Sequence, residues 1–223
     1  MGVQRDGRMA LVLHYIYGST ASIPHAVMEE AGLAYSLKAL PSGVDDVHFD
    51  HYPEAKFKLS GRIPALEDGS SVIFETGAII MHLLAKPEAA HLMPAYGSKE
   101  YSRFMQWLFY LTTSPKATLM EFMWPERWGR FADDQDWVRE RAADRMVTQC
   151  DYLDSNVSDG TFLSVGFTAL DIYLTELARW SAVTGMPMWR WKNLGTIVEA
   201  TRNRPAYKRM LAMQRISWPK QAA

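Results

Sequence analysis

The sequence predicts an α/β front half followed by an all-α back half. Three observations carry that expectation. The run ALVLHYIY, Ala10 to Tyr17, is apolar almost throughout, rich in aromatic and β-branched residues, and stops at Gly18, as a buried strand would. Strand-like and helix-like segments then alternate as far as Lys86. Beyond Gly97 almost every patterned segment has helical spacing.

Taken in order, the first strand leads into GSTASIPHAVMEEAGL. Ser22 is placed to cap a helix, Pro24 suits its first turn, and Gly32 falls just past its last turn. Residues Tyr35 to Leu40 read as a second strand. Pro41 to Gly61 is polar, carries two prolines outside any period, and reads as irregular. Pro64 to Leu66 and Val72 to Phe74 read as short strands around a turn at Glu67-Asp68-Gly69-Ser70. The segment TGAIIMHLLAK then has apolar residues at helical spacing. Pro87 to Gly97, with two prolines and a glycine, reads as a linker between a front domain over 9–86 and a helical domain over 98–216. Helices are expected near 98–122, 134–157, 169–183, 191–202 and 205–214.

Composition narrows the functional classes. Apolar residues make up 48% and charged residues 22% of the 223, enough to build a core without metal or disulfide help. A net charge of -1 provides no global field toward nucleic acid or anionic lipid. No apolar run approaches the roughly 18 residues of a membrane span, and no signal peptide is read at the start. The single cysteine, Cys150, excludes an internal disulfide or a Cys-x-x-Cys pair, which fits a reducing, cytoplasmic setting. No His or carboxylate spacing suggests a metal site, and His14, His25 and His82 are scattered over separate elements.

Two motifs carry a family resemblance. GRIPALEDGSSVIFETGAIIMHLL, through Gly61, Ile63, Pro64, Leu66, Asp68, Gly69, Glu75 and Thr76, resembles the central segment of the glutathione S-transferase family. Lys58-Leu59 stands where that family often has Asn-Pro, and Thr76 where Ser is usual. FTALDIYLTELARW resembles the family's Ser/Thr-x-x-Asp capping motif, with Thr168 and Asp171 reciprocally capping a buried helix. WPERW at Trp124 to Trp128 and the tail RNRPAYKRML are similar to bacterial members. The resemblance covers roughly residues 10–214. It implies a thioredoxin-like front domain, a helical second domain, a cytosolic bacterial-like type with a serine/threonine loop in place of a cysteine, and an isologous homodimer.

The same resemblance assigns roles. Glutathione is the implied cosubstrate, with no metal. A cis peptide is implied before Pro64, with the Ile63 backbone pairing with the cysteinyl part. Glu75 would meet the α-ammonium and Thr76 the α-carboxylate, where helix amides favour an anion. His51, Lys58 and Arg62 (and Lys56 between them) are candidates for the glycine carboxylate. For thiol activation, an ungapped match puts Thr20 at the cysteine of beta-type members and Ser19 at a serine of zeta-type members, with Tyr17 in reserve. Turn and capping chemistry accounts equally well for Ser19, Thr20 and Ser22. Tyr110, Met120, Met123, Trp124 and Arg127 are candidates for a pocket that would take a small hydrophobic electrophile between the domains.

The implied activity is a glutathione transferase of the detoxification kind, acting by conjugation, ether cleavage, dehalogenation or isomerisation. A non-catalytic binding or regulatory protein on the same fold, and a glutathione-dependent disulfide reductase, are the alternatives. Neither nucleic acid nor membrane is an expected partner.

Overall fold

A computed structural model describes residues 11–40, 63–158 and 160–219. Contacts divide the chain into two units. The first spans the front of the chain to Leu92 and also takes in Pro205–Ser217 from the tail. The second runs from Met93 to Arg204 and includes the last residues from Trp218 onward.

The first unit has a thioredoxin-like four-stranded mixed sheet of order β2-β1-β3-β4. Strands β1 (Leu11–Tyr15) and β2 (Tyr35–Ala39) are parallel, and α1 (Ser22–Ala31) is their crossover. Strand β3 (Ala65–Asp68) runs antiparallel to β1, with His14 opposite Ala65. Strand β4 (Ser71–Phe74) closes a hairpin on β3 in which Asp68 faces Ser71. The two residues between them begin with Gly69 at φ 63°, a left-handed conformation that tight hairpins require. Helix α2 (Thr76–Leu84) follows and packs on α1 and on both hairpin strands. Leu11, Leu13, Ile23, Val27, Ile79, Ile80 and Leu83 form much of the core.

Helix α1 starts differently from the sequence reading. Ala21 occupies the N-cap with no side-chain cap, and the Ser22 hydroxyl instead donates to the Ser19 carbonyl at 2.9 Å. Its end matches: Gly32 is left-handed at φ 65° and its amide returns to the last turn.

Helix α8 (Pro205–Met213), which the periodicity places with the back domain, packs on α1. A chain of polar groups makes this contact specific. Gln214, fully buried, bonds His25 Nδ1 at 3.0 Å, and His25 Nε2 bonds the Tyr35 hydroxyl at 2.8 Å. That hydroxyl donates to Glu29, whose other oxygen accepts from Arg209 Nε at 2.6 Å. Burial tends to raise the Glu29 carboxyl, but the Tyr35 and Arg209 hydrogen bonds outweigh it and hold the group below its ordinary range. Burial and the Glu29 carboxylate push the Tyr35 hydroxyl up.

The second unit is helical, built from α3 (Lys99–Thr113), α4 (Pro115–Met123), α5 (Asp134–Asp154), α6 (Ala169–Ser181) and α7 (Lys192–Arg202). The single helix expected over 98–122 is two, because Pro115 lacks an amide hydrogen and pushes Ser114 to φ -117°, ψ -80°, outside the helical region. Helix α6 is buried along nearly its whole length and contacts α3, α4 and α7. The Thr168–Asp171 capping box that starts it is present. The Asp171 carboxylate accepts from the amides of Thr168 at 2.8 Å and Phe162 at 2.7 Å. Burial pushes its carboxyl up to about 6, against the opposing pull of these bonds. Asp154 caps α7 from outside, accepting from the amides of Asn193 at 2.8 Å and Leu194 at 3.0 Å.

Asp171→Ala is expected to cost about 3 kcal/mol, because it strands two buried amides, and Thr168→Ala about 1 kcal/mol. Urea denaturation midpoints measure both. Equal effects would show that Asp171 does no more than a simple cap. A second expectation concerns the hairpin. Asp68 accepts from His82 Nε2 at 2.8 Å and Lys86 Nζ at 2.7 Å, tying the β3–β4 turn to α2. Burial raises its carboxyl, but these partners outweigh it and leave it below the ordinary value. A depressed carboxyl stabilises above its unfolded value and loses that stabilisation as pH falls through the folded one. Asp68→Asn should therefore cost about 1 kcal/mol near neutral pH and flatten the acid limb of a stability-against-pH curve.

Candidate functional site

The sheet topology gathers three segments at one end. Strand β1 exits where β3 enters, because the two are antiparallel with His14 opposite Ala65. Strand β4 exits at the same end, because Phe74 pairs with Ala65. The loop after β1 (Tyr17 to Thr20), the turn before β3 (Ile63-Pro64) and the start of α2 (Glu75-Thr76) are thereby neighbours. These are the segments on which the front-half candidates lie.

In the first loop the three hydroxyls have distinct environments. Ser19 Oγ donates to the Ile16 carbonyl at 2.7 Å and accepts from the Ala21 amide at 3.3 Å, so it holds the turn into α1. Thr20 Oγ1 points across the gap and donates to the Ile63 carbonyl at 3.3 Å. Tyr17 is exposed, and its ring stands edge-on to Tyr15 at 5.2 Å. Burial, and then the contact with Tyr17, push the Tyr15 hydroxyl up to about 12.

The second segment has the expected cis peptide between Ile63 and a buried Pro64. In the third, Glu75 takes φ 68°, ψ 123°, a left-handed backbone that costs a non-glycine residue about 1–3 kcal/mol. Glu75 is exposed and makes no side-chain cap for α2. Thr76, the first residue of α2, is only 2% exposed, and its hydroxyl has no hydrogen-bond partner among the described residues. A buried hydroxyl at an uncapped helix start is costly when unsatisfied and suited to an anion. His51, Lys58 and Arg62 lie outside the described residues.

The second-unit candidates divide. Tyr110 on α3 belongs to an aromatic cluster, 5.4 Å from Trp107 and 5.6 Å from Tyr152, ring centroid to centroid. Burial pushes its hydroxyl up. Met120 and Met123 are half-buried on α4. Trp124, just past α4, is exposed, with the Arg127 guanidinium 5.2 Å from the centre of one of its rings. Cys150 is fully buried within α5, and burial pushes its thiol up to about 12.

Three histidines are structural: His14 bonds Glu67 at 2.7 Å, His82 bonds Asp68, and His25 joins the α1–α8 chain. No cluster of three or more His, Cys, Asp or Glu among the described residues is arranged to hold a metal. No described helix is long and apolar enough to cross a membrane. Sequence reasoning missed Arg215, whose guanidinium carbon lies 5.5 Å from the centre of the Tyr17 ring. No sequence signal links it to that loop, 198 positions away by residue number (215 minus 17).

Comparison with known proteins agrees with this geometry. Residues 11–85 match the family model described as the glutathione S-transferase N-terminal domain. A glutathione transferase from Methylococcus capsulatus superposes with a TM-score of 0.74 at 23% identity, covering 92% of this chain and 98% of that one. A glutathione transferase homologue from Sulfitobacter, solved with bound glutathione, gives 0.78 at 19% identity, covering 92% and 98%. A beta-class enzyme from Sphingomonas chungbukensis gives 0.73 at 23% identity, covering 91% and 98%. The front part of the chain, residues 11–85, is thus matched to the glutathione S-transferase N-terminal domain, and the chain shares the fold of these transferases along some nine-tenths of its length.

Proposed function

We propose that this chain is a glutathione transferase. It binds glutathione at the sheet end of its front unit, stabilises the thiolate beside Thr20, and directs it at an electrophile with an apolar or aromatic body. The observation that carries the reading is Thr76: a buried hydroxyl without a partner among the described residues, at the uncapped start of α2, on the same sheet end as the Thr20–Ile63 contact. A carboxylate there would take the Thr76 hydroxyl and the first amides of α2 together. The γ-glutamyl carboxylate supplies that group, and exposed Glu75 beside it suits the adjoining ammonium. The Ile63 backbone would pair with the cysteinyl part. The glutathione held by the Sulfitobacter relative supports the choice of ligand.

Thr20 is the thiol-activating group in this reading. Its hydroxyl is engaged only at 3.3 Å, whereas Ser19 is held by a 2.7 Å bond to its own turn. A donated hydrogen bond from Thr20, with the first amides of α1, favours the thiolate. The lone cysteine, buried and with its thiol raised, weighs against a disulfide reductase that works through a protein thiol. The apolar second substrate rests on Met120, Met123 and Trp124, the reaction being conjugation, ether cleavage, dehalogenation or isomerisation, and a two-fold homodimer in the cytoplasm completes the reading.

Retention on immobilised glutathione, together with a thiolate absorbance band on adding the tripeptide, tests the proposal. Thr76→Val should leave the thermal midpoint unchanged or higher, because the hydroxyl has no partner to lose, yet weaken retention by about tenfold or more. Thr20→Ala should keep retention and diminish the thiolate band. Ser19→Ala should act mainly on stability. A wild-type protein with neither retention nor band would sink the transferase reading and leave a binding or regulatory protein on this fold.

A further inference from the structure

Helix α8 ends in an unusual way. The Ile216 amide donates to the Leu211 carbonyl at 2.9 Å and the Arg215 amide to the Ala212 carbonyl at 3.1 Å. This nested pair of bonds closes a helix through one left-handed residue, usually glycine. Here that residue is Arg215, at φ 52°. A Cβ is penalised in this region, so the backbone alone would favour glycine. A long cationic side chain occupies the position instead.

That side chain reaches the loop that carries Ser19 and Thr20, where it lies over Tyr17. Among the described residues no carboxylate pairs with it, whereas Arg209 on the same helix is tied to Glu29. The tail is held from behind by the adjacent Gln214, buried against His25. The turn geometry and the anchor both direct one positive charge to the loop.

We propose that Arg215 is a positioning residue of the thiol site: by packing on Tyr17 it sets the loop and lends its charge to the bound thiolate. This rests on the glutathione reading above. A cation near a thiol increases the thiolate fraction at a given pH, and salt screens an exposed one. Among the described residues, the other titratable or charged groups on the elements packed here are Tyr15 beside Tyr17, His25 and Glu29 on α1, Tyr35 on β2, and Arg209 on α8.

The test compares wild type, Arg215→Gly, Arg215→Lys and Lys208→Ala, an exposed charge loss on the same helix. Each is titrated with glutathione bound, following thiolate absorbance, and the pH profile of kcat/KM is recorded. Arg215→Gly should have an unchanged or higher thermal midpoint, since glycine suits the turn. Its thiolate titration should move up by about half a pH unit or more, roughly a threefold loss of thiolate near neutral pH. Arg215→Lys should stay near wild type, Lys208→Ala should match it, and added salt should move wild type toward Arg215→Gly. An unmoved titration in Arg215→Gly, or a shift as large in Arg215→Lys, overturns the role of Arg215 while leaving the glutathione reading intact. A wild type that fails to bind glutathione overturns both.

Discussion

The pairing of β1 with β3 positions everything at the candidate site. With Val12 opposite Glu67, Leu13 opposite Leu66 and His14 opposite Ala65, the exit of β1 and the entry of β3 share one end of the sheet. The hairpin then returns β4 to the same end, so Thr20, Ile63 and Thr76 become neighbours although they are far apart in sequence. Slipping the pairing by one residue would turn Leu11, Leu13 and Tyr15 out of the core, so burial enforces the register. The site inherits its geometry from hydrophobic burial on the other side of the sheet.

Around this frame, polar groups are placed where helices begin and end. Asp68, Asp154 and Asp171 each tie a backbone or a cation to a neighbouring element. Such bonds contribute modestly when made and cost more when one partner is removed, so they specify the arrangement more than they drive folding. The Thr76 hydroxyl, one of several buried polar atoms without a hydrogen-bond partner among the described residues, lies at a helix start, and Glu75 and Arg215 are the two described non-glycine residues with positive φ. All three lie in the first unit, two at the start of α2 and one beside Tyr17. Stability alone would favour other residues at these places, which is why they are read as functional.

Much of both units was legible in sequence because the signals are local. Gly32 and Gly69 end a helix and turn a hairpin through conformations that glycine adopts freely. The Thr168–Asp171 spacing forms a capping box within four residues. Misreadings came where a nearby competitor changed the outcome. Pro115 broke a periodic apolar stretch into α3 and α4, and Ser22 turned its hydroxyl to Ser19 instead of capping α1. The periodicity of 205–214 predicts a helix correctly, yet it carries no information about the unit on which that helix packs.

Local chemistry in the chain thus decides the elements, their caps and the identity of the glutathione-type segment from Gly61 to Leu84, because each depends on residues a few positions apart. It also leaves Ser19, Thr20 and Tyr17 as equivalent candidates, since any hydroxyl beside a glycine turn reads alike. Their differences arise from their neighbours: the adjacent Ile16 and Ala21 hold Ser19, whereas the distant Ile63 receives Thr20 and Arg215 from the tail covers Tyr17. Folding brings those partners together from as far as the other end of the chain. The roles of three similar side chains therefore diverge only once the sheet and the α1–α8 contact exist.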